Sequence, residues 1–303
     1  MSQSSETAQA AVYREKIINE ICYALGVSRN GLTRRLLGPL FRYPANRLGR
    51  IAARADNEVR ISGLSGGSRR ILPNLSLKPS VRGADDIPED GPLLVVSNHP
   101  GGFDSIAILS CIPRKDLKVV LSDVPFTRAF SDARQYFIYV PPDVLGSATT
   151  LRASIDHLKN GGALLIFPYS DVEPDPELSG GSAESFQDWS RSIEIMLREV
   201  PNAGLQVAII SGMQMSKFIL SPILKIRKSA PKRQKLAEVL QIIRQMTFPP
   251  RVPTNVHISF AKPVKAAELA KSGWMPAVIK IARELLEDHM AFLKAVKKHI
   301  PLS

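Results

Sequence analysis

Only two cysteines occur in the 303 residues, Cys22 and Cys111. They lie far apart and form no C-x-x-C or Cys/His ligand spacing, so neither a disulfide framework nor a metal site is expected, and a reducing cytoplasm is the natural setting. Each reads as a small buried hydrophobe rather than a nucleophile. No segment approaches the ~20 consecutive apolar residues that a spanning helix requires. The polar start MSQSSETAQAAVYREK lacks the cationic and apolar parts of a secretion signal. Aromatics are sparse in the basic stretches, and no zinc-finger or RNP-like pattern appears, so no nucleic-acid partner is expected. Internal repeats and low-complexity tracts are absent as well.

Positive charge is plentiful. Forty Lys and Arg against 28 Asp and Glu give a net charge of +12, which suits an anionic membrane surface, nucleic acid or an acidic carrier. Eight arginines fall between positions 29 and 60 (Arg29, Arg34, Arg35, Arg42, Arg47, Arg50, Arg54 and Arg60), opposed only by Asp56 and Glu58. With Leu32, Leu36, Leu37, Leu40 and Phe41 at helical spacing, this is either a solvated helix face or an interfacial surface. Residues 217–235 hold Lys217, Lys225, Arg227, Lys228, Lys232, Arg233 and Lys235 without an acid, beside Phe218, Ile219, Leu220, Ile223, Leu224 and Ile226. That stretch reads as a solvated loop or as a surface for anionic headgroups, an acyl carrier protein or the phosphates of coenzyme A.

Apolar spacing organises the rest. Ile17, Ile18, Ile21 and Leu25 recur three to four residues apart, so residues 1–62 form a helical, Arg-rich N-terminal region. Residues 63–92, rich in Gly, Ser and Pro, read as a linker and lead-in. From 93 to 265 strands are expected at 93–97, 117–121, 136–140, 163–167, 205–211 and 255–260, with helices at 104–112, 148–159 and 183–199. The segment 266–303 supplies a C-terminal helix near 276–298, with Ile281, Leu285 and Phe292 at core spacing. Such alternation implies an α/β fold, a mixed β-sheet flanked by helices.

The string SNHPGGFDS, residues 97–105, concentrates the chemistry. Leu93–Val96 is a short apolar run bounded by Gly91-Pro92 and reads as a buried strand. Pro100-Gly101-Gly102 forces a turn, and Asp104-Ser105 sits where an N-cap would open a helix. On one reading Asp104 only caps that helix and His99 only closes the strand. On the other, His99 is a base oriented by a carboxylate five residues on, at a strand end where backbone donors and side chains converge.

Residues 81–105 resemble the first block of the glycerolipid acyltransferase superfamily, a strand ending in Asn-His, four residues and Asp: here Asn98, His99 and Asp104. LSDVPFTRAF, ALLIFPYSDVEPD and LQVAIISG resemble the second, third and fourth blocks, so the likeness covers roughly residues 75–265. It implies a glycerol-3-phosphate acyltransferase-like fold and transfer of an acyl group from an acyl-CoA or acyl-carrier-protein thioester to a lipid hydroxyl. His99 would then be the general base and Asp104 its partner, with no covalent acyl-enzyme and no cofactor beyond the donor. Backbone donors near Gly101 and Gly102 are candidates for holding the oxyanion.

Two blocks depart from the family's pattern. The third usually reads Phe-Pro-Glu-Gly and then a basic residue, whereas here Phe167, Pro168, Tyr169, Ser170, Asp171, Val172 and Glu173 contain no cation. The second ends in Pro142-Asp143 instead of an arginine. Arg128, Arg134 or Arg152 are the replacements at hand, and Tyr169 and Glu173 either line the acceptor site or belong to a surface turn. The expected function is a peripheral membrane acyltransferase of phospholipid biosynthesis, similar to 1-acylglycerol-3-phosphate acyltransferases, with a lipid acceptor. The alternatives are a same-fold enzyme using a non-phosphate acceptor such as an aminolipid, or a non-catalytic basic lipid- or nucleic-acid-binding module.

Overall fold

The computed structural model describes residues 3–27, 32–141, 144–169, 171–178, 181–226, 228–248 and 254–299. Helices α1 (Gln3–Ala24), α2 (Leu32–Leu37) and α3 (Arg42–Ile71) precede β1 (Leu77–Arg82). Then follow β2 (Leu93–Ser97), α4 (Asp104–Leu109), β3 (Lys118–Ser122), β4 (Phe137–Val140), α5 (Val144–Lys159) and β5 (Ala163–Ile166). The chain continues through α6 (Ser182–Ser185), α7 (Ser192–Glu199), β6 (Gly204–Ser211), α8 (Ser216–Ile219) and α9 (Ala230–Thr247). It closes with β7 (Thr254–Phe260), β8 (Val264–Lys265), α10 (Ala266–Leu269) and α11 (Trp274–His299).

The strands form one mixed sheet in the order β1-β7-β6-β2-β5-β3-β4, with β8 also paired to β6. β6, β2, β5, β3 and β4 run parallel, while β7 and β8 are antiparallel to β6. This is the fold class expected. Every residue of β2, β5 and β6 is buried, as strands covered on both faces must be. Alternation divides them: Leu93 and Val95 of β2 join Ile51, Val59 and Leu64 of α3 in one core. Leu94 and Val96 join Ile193 and Leu197 of α7 and Val278 and Ala282 of α11 in the other. β2 lies between β5 and β6, so the loop after it opens at the centre of the sheet's carboxyl edge, the usual place for ligands in such sheets.

Several boundaries differ from expectation for identifiable reasons. Residues 63–92 are not a linker. α3 continues to Ile71 across a kink at Gly63, whose φ of 70° favours glycine, and residues 77–82 add an edge strand paired with β7. The Gly/Ser run hides a helix because Leu64, Ile71, Leu72 and Leu75 supply its core contacts. Pro79 is tolerated in β1 because that strand is an edge. Residues 183–199 are a broken helix, with a 3-10 turn at Phe186–Asp188 separating α6 from α7. On α11 the buried stripe is Val278, Ala282, Leu286, His289 and Leu293, with Ile281, Leu285 and Phe292 flanking it. The basic stretch after 216 is ordered into α8, a 3-10 turn and the first part of α9.

The N-terminal region is helical, as expected. Tyr13, Ile17, Ile18 and Ile21 of α1 bury against Ala45, Ala52 and Ala53 of α3. Gly49 allows the close approach, since a Cβ there would lie 2.7 Å from the Ala10 carbonyl oxygen. Asp56 does not balance the arginines around it. It is fully buried and accepts the backbone N–H groups of Ser131, Asp132 and Ala133 at 2.8, 3.0 and 2.7 Å, fastening α3 to the loop before β4. Arg29, the Arg34 side chain, Pro142, Asp143, Ser170 and Arg227 lie outside the described residues. Cys22 is buried and Cys111 half-buried, the latter with its thiol pKa raised by burial. Among the described residues no helix is long and apolar enough to cross a membrane.

Candidate active site

Asn98 ends the pairing of β2 with β6 by imitating a backbone peptide. Its Nδ2 donates to the Ile210 carbonyl at 2.9 Å and its Oδ1 accepts the Ile210 N–H at 2.8 Å. The next residue, His99, leaves the sheet with its backbone clamped on both sides. Its N–H donates to Glu173 Oε2 at 2.7 Å, and its carbonyl accepts the Glu173 N–H at 2.8 Å. Pro100 is fixed through its carbonyl by Gln214 Nε2 at 2.7 Å. The imidazole is thus aimed by the strand end and its neighbours, not by its own side-chain contacts alone.

Asp104 is not an N-cap. It is the first residue of α4, fully buried, and its carboxylate faces back into the turn. Oδ2 accepts His99 Nδ1 at 2.8 Å and the Gly101 N–H at 3.1 Å, while Oδ1 accepts the Ser105 N–H at 2.6 Å. A carboxylate on Nδ1 places the proton there and leaves the Nε2 lone pair for another partner. The His99 side chain is 29% exposed, with the Phe167 ring 4.8 Å away, centroid to centroid. This base-and-orienter pair fits proton abstraction from a hydroxyl.

The charges around the imidazole are acidic. Burial by itself lowers the His99 pKa, but attraction and hydrogen bonding to Asp104, with Glu238 and Glu173 behind it, outweigh burial and raise it to about 9. Glu238 comes from α9 and accepts the Gly102 N–H from 136 residues along the chain. It is the residue of this candidate site that sequence reading missed. The sequence reading places no helix at 230–247, and nothing local points the Glu238 carboxylate toward residue 102.

The remaining expected residues fare unevenly. The Gly101 and Gly102 amides are not free donors, since Asp104 and Glu238 accept them. Phe167 reaches the site, and Pro168 follows it as a buried turn residue whose carbonyl accepts the Ser190 N–H. Tyr169 points to the opposite face and packs against the core shared by α7 and α11. Glu173 is fully buried and accepts Ser185 Oγ at 2.7 Å and Trp189 Nε1 at 3.0 Å as well as the His99 amide. It therefore braces the base instead of lining an acceptor site, and burial raises its pKa. Arg128 is held bidentate by Asp123 at 2.6 Å and lies over the Tyr139 ring. Arg134 is exposed in a 3-10 turn and Arg152 on α5, and no hydrogen bond or ion pair joins either to the His99–Asp104 pair.

Among solved structures the chain is similar to the 1-acyl-sn-glycerophosphate (LPA) acyltransferase PlsC from Thermotoga maritima, at 16% identity and a TM-score of 0.48, with 96% of each chain covered. No protein-family model and no curated protein matches the sequence.

Proposed function

We propose that this protein is an acyltransferase that moves a fatty acyl group from an acyl-CoA or acyl-carrier-protein thioester to a hydroxyl of a glycerolipid or lysolipid at a cytoplasmic, anionic membrane surface. The observation that carries the reading is the 2.8 Å bond between His99 Nδ1 and the buried Asp104 carboxylate, on an imidazole that stays partly exposed at the carboxyl edge of the sheet. In the reaction Nε2 takes the acceptor's hydroxyl proton as the oxygen attacks the thioester carbonyl. The tetrahedral intermediate then collapses, the C–S bond breaks, and the imidazolium returns the proton to the departing thiolate. Asp104 stabilises the imidazolium between those events.

The test is acyl transfer by the purified protein to a series of lysolipids, with one acyl-CoA and one acyl-carrier protein as donors. His99→Ala is expected to lose at least a hundredfold, in line with the ~10²–10⁴-fold that general base catalysis supplies. A wild-type protein that cleaves no thioester, or a folded His99→Ala protein within a few-fold of it, sinks the proposal.

The acidic surroundings of His99 favour the non-phosphate acceptor over lysophosphatidate. A phosphomonoester is normally met by Arg or Lys through charge-assisted hydrogen bonds. Here Arg128 is occupied by Asp123, and Glu238 stands beside the base. The expected outcome is a higher kcat/KM with a neutral or zwitterionic lysolipid, and a clear preference for lysophosphatidate would reverse this reading.

A further inference from the structure

α9 meets the catalytic turn with a polar face. Gln234, Glu238, Gln241 and Gln245 lie four, three and four residues apart, which places them on one side of the helix. The first three bind loops at the carboxyl edge of the sheet, and Gln245 binds the first residue of β7. Gln234 Nε2 donates to the Glu173 carbonyl at 2.6 Å, and Glu238 accepts the Gly102 N–H. Gln241 accepts the Met215 N–H at 2.8 Å and donates to the Met213 carbonyl at 2.9 Å, and Gln245 donates to Thr254 Oγ1. Between Glu238, Gln241, Met213 and the two glycines only about 10 Å³ of free space remains, the room of a single water molecule. The Gly102 amide is therefore occupied by Glu238, although Gly102 itself is exposed and His99 is partly so.

The helix is anchored unequally. Its C-terminal end enters the main core through Met246 and its middle meets the α1–α3 core through Val239 and Ile243, while its N-terminal half rests on a small satellite cluster of Leu224, Leu236 and Ala237. The edge leading into that half exposes Leu220 (78%), Ile223 and Ile226. Lys217, Lys225, Lys228, Lys232 and Lys235 surround them, all exposed, and no acid occurs from 216 to 235. Apolar side chains ringed by lysines suit the headgroup region of an anionic bilayer. Polar contacts that hold a helix to a turn exchange readily for water, so their net hold is modest.

We propose that residues 216–226 and 228–247 form a cover beside His99, latched by the Glu238 carboxylate on the Gly102 amide, and that docking of its lysine-ringed apolar edge on an anionic lipid surface releases it. The proposal rests on the acyltransferase reading and adds its regulation. Release frees the Gly102 N–H for the oxyanion and withdraws one of the three carboxylates, Asp104, Glu173 and Glu238, that hold the proton on His99. Lys235, one turn before Glu238, is the cation that moves with the latch.

Hydrogen exchange on the full chain tests it, read in peptides covering 99–104 and 234–241 with phosphatidylglycerol or phosphatidylcholine vesicles. Exchange in both peptides should rise at least tenfold with phosphatidylglycerol and stay unchanged with phosphatidylcholine, and Lys225→Gln/Lys228→Gln/Lys232→Gln should abolish the response. Unchanged or slower exchange with phosphatidylglycerol overturns the proposal, and so does opening by an acidic carrier protein in place of the lipid. A second arm joins Met213→Cys to Gln241→Cys with a reducible bifunctional thiosulfonate in a Cys22→Ser/Cys111→Ser background. Joined protein as active as reduced protein overturns the cover while the acyltransferase reading stands. Opening on vesicles without acyl transfer to any acceptor leaves the cover and removes that reading.

Discussion

Two histidines in this molecule have both been taken out of bulk water, and they have opposite fates. His99 gives Nδ1 to a carboxylate and leaves Nε2 facing outward, with its pKa raised to about 9 because Asp104 and two further acids outweigh burial. His289 on α11 is 1% exposed, and its ring nitrogens meet two hydroxyls, Ser211 Oγ at Nε2 and Ser259 Oγ at Nδ1, each at 2.8 Å. Ser211 spends its proton on Glu177 at 2.8 Å, so Nε2 must donate to it and Nδ1 must accept from Ser259. Burial, then His257, lowers the His289 pKa to about 4. One ring holds a proton on Nδ1 beside Asp104 and binds a second up to about pH 9, and the other is the Nε2–H form whose remaining nitrogen is occupied by Ser259. Partner and exposure, not residue type, separate the proposed base from a rivet between β6, β7 and α11.

The strongest way to break the comparison is to exchange partners. Asp104→Ser gives His99 a hydroxyl like those around His289, and acyl transfer is expected to fall at least a hundredfold. Nitrogen NMR of the ring should show the His99 pKa dropping from about 9 to 6.5 or lower. A folded variant that keeps both its activity and its high pKa would mean that the carboxylate does not orient the base.

Next in size is the pH dependence of the wild type. A general base works only when neutral, so a pKa of about 9 makes kcat/KM climb close to tenfold per pH unit from pH 7 and level near 9. A profile already flat at pH 7 would show that the ring is neutral there and that Asp104 does not hold the proton on it.

These outcomes bear on what the sequence discloses. β2, its turn and Asp104 were legible because every signal is local: an apolar run, a Pro-Gly-Gly turn and a histidine five residues from an acid. Layers and strand limits were legible for the same reason, through alternation in Leu93–Val96 and Leu205–Ile210. α3 beyond Gly63 and β1 were not, because Gly, Ser and Pro dominate there and the packing partners of Leu64, Leu75 and Leu77 lie in distant elements. Glu238, Glu173 and the Ser211–His289–Ser259 link were out of reach for a sharper reason. Their roles exist only once α9, the loop after β5 and α11 converge on one edge of the sheet.

His289→Ala sharpens the structural side of the comparison. It removes two buried hydrogen bonds and leaves a cavity, at a cost of roughly 2–3 kcal/mol of unfolding free energy in urea titration. Activity per folded molecule is expected to stay within a few-fold of wild type. A hundredfold loss in a folded variant would place His289 in the catalytic machinery.

The smallest effect is the pH dependence of that stability. A histidine with a folded-state pKa near 4 lets the unfolded chain, titrating near 6.5, bind the proton first. Its contribution is thus complete above about pH 6.5 and lost progressively as pH falls to about 4, below which it changes no further. Buried Glu173, Asp175 and Glu238 have raised pKa values and act in the opposite sense, so the total curve does not isolate the histidine. The difference between wild type and His289→Gln does, since the carboxylates are common to both. That difference is expected to narrow steadily from pH 6.5 to pH 4. If it stays constant across the range, folding leaves the His289 pKa near its unfolded value, and the two serines do not hold the ring neutral.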